Sequence, residues 1–389
     1  MLLALSALWW AVVLLMRAQG MAWTPALPPA AVHGLLMTLG FMPLFITGFL
    51  FTAGTRWLGM PGVEARTLLP AVAAQVVGWL LVLVGSATLA WLAALGLALV
   101  ASGWSRLALR FVGLLRRSPV DDRTHPGVIA VAGVVAALAL WAAAAAVALD
   151  AVAWLRPLTL WCVYGFIGVV FVTVAHRMIP FFTAAALPVL DAWRPMWLLW
   201  VFLALMALQA GVALAEALWW PLPSAVLVVV AVCEAAGALA VLGLALRWGL
   251  VQSLKARLLA MLHLGFVWLG IALALSAVSH ALQAATAGAS SLGLAPLHAF
   301  TMGFLGSTLI AMATRVSCGH SGRALVADDF VWWLFGVLQL AVLARVVAAL
   351  MPASVALELS VLLWAGVCVA WGVRYGRWWG RPRIDGRPG

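Results

Sequence analysis

The chain has 389 residues, of which 67% are hydrophobic and only 8% are charged. A soluble globular domain carries about 25% charged residues, so this composition excludes one. The sequence contains no Walker-type loop and no dinucleotide-binding glycine motif, and no polar stretch in it is long enough for a soluble catalytic domain. Any chemistry is therefore expected inside a membrane or at its edges.

Apolar runs long enough to cross a hydrocarbon core of roughly 30 Å recur along the whole sequence. Such runs must form helices, because backbone in lipid has to satisfy its own hydrogen bonds. None alternates polar and apolar residues as a barrel strand does. We predict an all-α, polytopic integral membrane protein with about twelve transmembrane helices, in a single domain spanning 1–389. The predicted spans are 2–17, 32–52, 67–85, 87–103, 127–149, 157–175, 196–215, 222–245, 258–280, 297–314, 329–350 and 354–373.

The first apolar run could be a signal peptide, since small residues follow it at 18–20. However, no basic residue precedes its apolar core, and Arg17 comes after that core. A secretory signal has the opposite arrangement, with its positive charge in front. We therefore expect an uncleaved first span.

The net charge of +11 is distributed in a way that indicates membrane topology rather than nucleic-acid binding. Of the 22 Lys and Arg residues, 19 fall in alternate loops or in the short basic tail, 374–389, and the other three are Arg17, Arg156 and Arg345. Basic residues accumulate on the cytoplasmic side of membrane proteins. We therefore predict that both termini and the tail are cytoplasmic.

Six of the seven histidines fall near the ends of predicted spans, in two layers. The predicted outer layer contains His33, His280 and His298, and the layer toward the cytoplasm contains His176, His263 and His320. His263 and His280 are about 25 Å apart on one helix, at ~1.5 Å per residue, so one metal ion cannot bind both. The seventh histidine, His125, lies in a basic loop, where we expect it to be solvated.

Two interpretations of these layers are open. Polar residues at bilayer depth are costly and tend to mark functional sites, and imidazole is a common ligand of copper, iron and haem. Haem propionates need basic partners, which Arg177, Arg315 and Arg323 could supply near the cytoplasmic layer. The alternative is that each histidine simply borders an interface or caps a helix.

A few other polar and small residues lie within or beside the spans. Glu234, in mid-span, could relay protons or be a neutral, hydrogen-bonded side chain, whereas Glu216 is expected to be solvated. Gln209 is of a type that hydrogen-bonds between membrane helices. Gly303 predicts close helix packing, or alternatively a flat cofactor lying against it.

The stretch from 298 to 323 carries a resemblance to a known family. The segment His298-Ala-Phe-Thr-Met-Gly-Phe-Leu-Gly, continued by Met312-Ala-Thr-Arg-Val-Ser-Cys-Gly-His-Ser-Gly-Arg323, resembles the signature of the NnrS family. Residues 262–269, 177–183 and 381–389 are similar to further family segments. His33 with Gly40-Phe41 resembles the early family motif, but Leu35 and Leu36 stand where that motif has His and Glu.

The resemblance implies a bacterial inner (cytoplasmic) membrane protein that binds haem and copper. It also implies a role in nitric oxide metabolism or in protection against nitrosative stress. By position, the implied haem-binding residues are His263, His320, Arg177, Arg315, Arg323 and His176. The implied metal-binding residues are His33, His298 and His280. The expected partners are the lipid bilayer and nitric oxide or another small diatomic ligand, and no nucleic acid; the electron donor and any enzymatic turnover are left open.

Three alternative functions are compatible with a polytopic helical membrane protein. A transporter of a small solute or metal ion would use Glu234 and the mid-span glutamines, but the two halves show no convincing repeat. A divergent haem–copper oxidoreductase subunit needs a His-His pair and a His-x-His pair, and neither occurs. A helical scaffold without cofactors is the third.

Overall fold

The computed structural model describes residues 1–351, 354–378 and 380–386 and is built from helices, with no β-strand in those ranges. We number twelve helices in chain order and leave one-turn segments unnumbered. They are α1 Leu2–Ala18, α2 Pro29–Trp57, α3 Leu69–Thr88, α4 Ala90–Arg116, α5 Thr124–Ala148, α6 Val152–Ala186, α7 Met196–Leu218, α8 Ser224–Arg247, α9 Arg257–Ala285, α10 Ala295–His320, α11 Asp329–Leu350 and α12 Ser354–Gly376. The prediction of an all-α polytopic membrane protein is confirmed.

Eleven of the described helices, α2 to α12, are long and apolar enough to cross a membrane, while α1 is apolar but has only 17 residues. Several helices extend beyond the spans predicted from the sequence. The span predicted at 157–175 corresponds to α6, which runs from Val152 to Ala186. A hydropathy pattern ends at the first charged side chain, whereas the backbone hydrogen bonds continue through it. His176 and Arg177 are consequently inside α6 and not at its end.

Helices that follow one another pack side by side, most extensively α3 on α4, α4 on α5, α8 on α9 and α11 on α12. The last helix, α12, returns to α1, which also contacts α2. At the α3–α4 contact, a Cβ atom on Gly78 would lie 2.6 Å from the carbonyl oxygen of Gly96. Only glycine permits so close a backbone approach.

Four helices form the centre of the bundle. The most apolar eighteen-residue window is 67% buried in α2, α6 and α9 and 72% buried in α10, against 56% or less in the other candidate spans. These four helices carry six of the seven histidines. The sequence thus places its histidines on the helices that are most shielded from lipid.

Three of the central helices contain a π-helical stretch. These stretches are Leu36–Gly40 and Leu50–Gly54 in α2, Val163–Gly168 in α6 and Ala299–Gly306 in α10. A π turn shifts the side chains that follow it and is often found at functional sites. The stretch in α10 begins directly after His298, so this histidine lies at a break in regular helical geometry.

The surroundings of Gly303 decide between the two roles predicted for it, close helix packing and contact with a flat cofactor. A Cβ atom at this position would lie 2.6 Å from the indole ring of Trp268 on α9. The flat group against Gly303 is therefore Trp268, whose indole N–H also donates to Gln339 at 2.7 Å. Helix packing, and not a flat cofactor, accounts for this glycine.

The short connections turn successive helices back, so the loops alternate between two ends of the bundle. We call the end with residues 57–69, 116–124 and 320–329 the arginine-rich end, and the other the opposite end. Residues 381–386 of the predicted basic tail dock at the arginine-rich end, where Arg383 donates to the carbonyl of Gly319 at 3.3 Å. Residues 379 and 387–389 of that tail lie outside the described residues.

Candidate functional site

His33 on α2 and His298 on α10 lie near each other at the opposite end. His298 and the guanidinium of Arg345 on α11 are both within electrostatic range of His33, and Arg345 is also within that range of His298. The His33 ring stacks on the indole of Trp10, with 4.1 Å between ring centroids. Its Nδ1 is buried and has no hydrogen-bond partner among the described residues.

The imidazole ring of His298 has a defined tautomer. His298 Nδ1 lies 3.0 Å from the carbonyl oxygen of Leu294. A carbonyl can only accept, so Nδ1 carries the proton and Nε2 carries the lone pair. Metal-bound histidines are typically oriented in this way by a backbone carbonyl. His298 is therefore prepared to bind a metal through Nε2.

His263 on α9 is fully buried at the arginine-rich end. Its Nε2 lies 2.9 Å from the hydroxyl oxygen of Thr183, and that hydroxyl donates to the carbonyl of Ile179 at 2.9 Å. The hydroxyl proton is therefore used, and His263 must donate from Nε2. The lone pair on His263 Nδ1 is buried without a partner in the described structure.

A cavity of about 500 Å³ lies beside this part of α9, although His263 itself is not among the residues that line it. Its apolar wall includes Leu262, Phe182 and Met312. Its charged lining is both basic and acidic: Arg315, Lys255, Arg257, Asp328 and Asp329. Small-molecule sites commonly have volumes of roughly 300–1,000 Å³, so the volume suits a small ligand.

His125 corrects a sequence expectation. It was expected to be solvated, but it is only 1% exposed. Its Nε2 lies 2.9 Å from Nδ1 of His176, whose Nε2 donates to the carbonyl of Pro195 at 3.2 Å. His125 therefore donates from Nε2, and its own Nδ1 is buried without a described partner. The run Thr124-His-Pro126 is a helix-start signal that could have placed His125 in α5 and not in the loop.

The loop before α5 contributes one further contact at this end. Asp122 accepts a hydrogen bond from the backbone N–H of Thr124 at 3.0 Å. This bond holds the pKa of the Asp122 carboxyl below its ordinary value. The start of α5, and with it His125, is thereby fixed to the loop.

The remaining residues predicted at this end are placed separately. His320 is exposed at the last residue of α10. Each of the three arginines lies over an aromatic ring: Arg177 over Trp57 at 4.5 Å, Arg315 over Phe182 at 4.0 Å and Arg323 over Trp378 at 4.0 Å. None of the three forms a salt bridge with another described residue, so their guanidinium groups are available to an anion.

His280 differs from the other histidines because both ring nitrogens face carboxylates. Nδ1 lies 2.7 Å from Glu234 Oε2, and Nε2 lies 3.5 Å from Glu216 Oε1. Glu216, expected to be solvated, is 27% exposed at its side chain and is directed at this histidine. Gln209 donates to Glu234 across the α7–α8 contact, which confirms its predicted role. In this arrangement His280 has no free nitrogen for the His33–His298 pair.

Within the described ranges, no three or more His, Cys, Asp or Glu side chains come together as a metal-binding group. The nitrogen atoms available as metal ligands are therefore those of the His33–His298 pair and the single buried nitrogens of His263 and His125. A single axial histidine suffices to hold haem iron, and imidazole nitrogens suit copper. These imidazoles could hold haem iron or copper through one or two protein ligands.

The fold and these histidines define a class, a multi-pass all-helical membrane protein with unpaired imidazoles on its central helices. The family model described as "NnrS protein" matches residues 1–383, so the chain belongs to the NnrS family. No curated protein and no solved structure matches the chain at a significant level.

Proposed function

We propose that this protein binds haem and copper in the bacterial inner membrane and acts in the metabolism of nitric oxide or in protection against nitrosative stress. Membership of the NnrS family supports a nitric oxide response in general. The observation that carries the proposal is the buried, unpaired nitrogen on each of His33 and His263. A buried polar atom without a partner costs about 1–3 kcal/mol, and a bound metal would remove that cost.

The two ends of the bundle have different roles in this proposal. At the opposite end, His298 Nε2 and His33 Nδ1 would hold copper. At the arginine-rich end, His263 Nδ1 would hold haem iron, with Arg315 at the cavity rim beside a propionate. His320, Arg177 and Arg323 belong to the same end as further haem-site residues. The carried-over role of His176 as a haem ligand is not part of the proposal, because its nitrogens are bonded to His125 and to the carbonyl of Pro195. The carried-over role of His280 as a metal ligand is not part of the proposal, because both its nitrogens face carboxylates.

The protein side chains contribute orientation and exclusion of water. Thr183 fixes the protonated nitrogen of His263, and the carbonyl of Leu294 does the same for His298. His263 is fully buried, so water is excluded from the lone pair on its Nδ1. Haem iron bound there would supply a site for nitric oxide or another diatomic ligand and for one-electron transfer.

The test is the absorption spectrum of purified full-length protein, oxidised and reduced, together with metal analysis and a titration with nitric oxide. The proposal expects a Soret band near one haem per chain that shifts when nitric oxide is added. A colourless, metal-free preparation from cells well supplied with haem and copper would overturn it. The transporter alternative would then be favoured, because it gives a function to the buried Glu234–His280 pair, which needs no haem or copper.

A further inference from the structure

A second group of titratable side chains lies apart from the proposed haem and copper sites. His280 on α9 is flanked by two carboxylates that come from different helices, Glu234 on α8 and Glu216 on α7. Glu234 is completely buried, whereas the Glu216 side chain is 27% exposed and lies two residues before the end of α7. The three groups therefore lead from a partly exposed carboxyl, through an imidazole, to a buried carboxyl.

The contacts around the buried carboxyl are polar and specific. Gln209 Nε2 donates to Glu234 Oε1 at 2.5 Å, and the Ser276 hydroxyl lies 3.5 Å from Gln209 Oε1. On α6, the phenol of Tyr164 interacts electrostatically with both glutamates. The titratable groups that face His280 from the packed helices are thus Glu216 and Glu234, and Tyr164 lies within electrostatic range of both glutamates.

A purely structural role explains this arrangement poorly. Removing ionisable groups from water is so costly that apolar residues of similar size often stabilise a protein equally well. Helix packing alone would therefore not require a carboxylate at each nitrogen of one imidazole. In addition, Glu216 Oε1 is buried and has no hydrogen bond in the described structure, although it lies 3.5 Å from His280. This oxygen is free to bind a proton.

We propose that Glu216, His280 and Glu234 form a proton relay that connects the opposite end of the bundle with an internal proton-binding site at Glu234. Imidazole can accept a proton at one nitrogen and release another from the second. Intramembrane ionisable residues in such chains are typical of proton pathways. This inference does not rest on haem or copper.

The relay conserves protons and total charge. A proton on Glu216 moves to His280 Nε2, where an N–H bond forms as the O–H bond on Glu216 breaks. The proton on His280 Nδ1 moves to Glu234 Oε2, so that an O–H bond forms there and the imidazole ends neutral, with its proton on the other nitrogen. One negative charge moves from Glu234 to Glu216, and no electron donor or acceptor is needed.

The internal end of the relay faces the centre of the bundle. Tyr164 belongs to the π-helical stretch of α6, and its ring centroid lies 4.9 Å from that of Phe300. Phe300 follows His298 by two residues in the π-helical stretch of α10. The side of α6 that carries Tyr164 therefore packs on the stretch of α10 that follows His298.

Infrared spectroscopy of the full-length protein in lipid bilayers tests this relay, because a protonated carboxyl has a separate C=O band. The band is followed during a pH titration and after transfer from water to deuterium oxide. We expect a band that is absent in Glu234→Gln and whose pH midpoint shifts in His280→Gln. In Glu216→Gln the band should persist, but its deuterium exchange should slow by about tenfold or more.

Glu358→Gln is the matched control, a glutamate on α12 that contacts none of the relay groups. It should leave both the band and its exchange rate unchanged. Two results would overturn the relay: no carboxyl band that depends on Glu234 at any pH at which the protein stays folded, or an exchange rate that is the same in wild type and in Glu216→Gln. Should Glu234→Gln fail to fold, the Glu216→Gln exchange rate alone decides, because Glu216 is partly exposed.

Discussion

Thr183 on α6 accepts a hydrogen bond from Nε2 of His263 on α9 at 2.9 Å while giving its own proton to the carbonyl of Ile179. One hydroxyl thereby determines which nitrogen of a fully buried imidazole is protonated. The other nitrogen, Nδ1, is left with a lone pair that no described residue satisfies. This contact couples the two central helices at the place where the proposed haem ligand lies.

The first prediction concerns this contact. Thr183→Val keeps the shape of the side chain but removes the acceptor, so His263 loses the partner that selects its tautomer and orients its ring. Loss of such an outer-sphere partner typically weakens metal affinity by about 10–100-fold. Haem titration of the purified variant should show this loss. Thr183→Ser retains the hydroxyl and should bind haem as wild type does; equal affinities in the Val and Ser variants would contradict the assignment.

The second prediction concerns copper at the opposite end. His298→Ala and His33→Ala each remove one of the two proposed ligands, so copper per chain should fall by at least half in either variant. Metal analysis after purification measures this. The control is Thr301→Ala, which lies on the same helix and whose hydroxyl bonds only to the carbonyl of Leu297. Unchanged copper in both histidine variants would exclude this site.

A third prediction tests the His125–His176 pair through stability. His125→Phe keeps a ring at this position but removes the donor to His176 Nδ1, which is then buried without a partner. Leaving such an acceptor unsatisfied costs about 1–3 kcal/mol. Thermal unfolding in detergent should show the variant melting below wild type. Asp121→Asn, an exposed change in the preceding loop, should melt with wild type, and the same behaviour in His125→Phe would show that the hydrogen bond contributes little.

The fold was predictable from the sequence because hydrophobicity in lipid leaves helices as the available structure for such spans. The placement of His33 and His298 at one end of the bundle was also expected, since both fall at the same predicted face. The presence of Arg345 within electrostatic range of both rings was not expected, because it depends on how α11 packs against α10. His320 and His263 were expected in one layer too, but His320 is exposed at the end of α10 whereas His263 is fully buried.

Other features of the site could not be read from the residue pattern. Thr183 acts through its geometry relative to α9, and a single threonine at a helix end carries no sequence signal. The same holds for Glu216, which looks solvated by position but is turned toward His280 by the packing of α7 on its neighbours. Tautomers follow from hydrogen-bond partners, and these exist only in the folded chain.

The last prediction uses the contact between Gly303 and Trp268. Gly303→Ala would place a methyl group 2.6 Å from the indole ring, which is inside van der Waals contact. Because the indole is also held by Gln339 at 2.7 Å, it cannot move aside freely, and α9 and α10 must separate. Such overpacking typically costs about 1–3 kcal/mol, so the variant should melt at a lower temperature. It should also bind less copper, because the π-helical stretch next to His298 is displaced.

Gly336→Ala on α11 is the matched change, since nothing lies within 4 Å of the added Cβ. Alanine there should raise helix stability by about 0.5–1 kcal/mol. If both variants melt above wild type, a methyl group fits between α9 and α10, and helix packing does not require glycine at position 303.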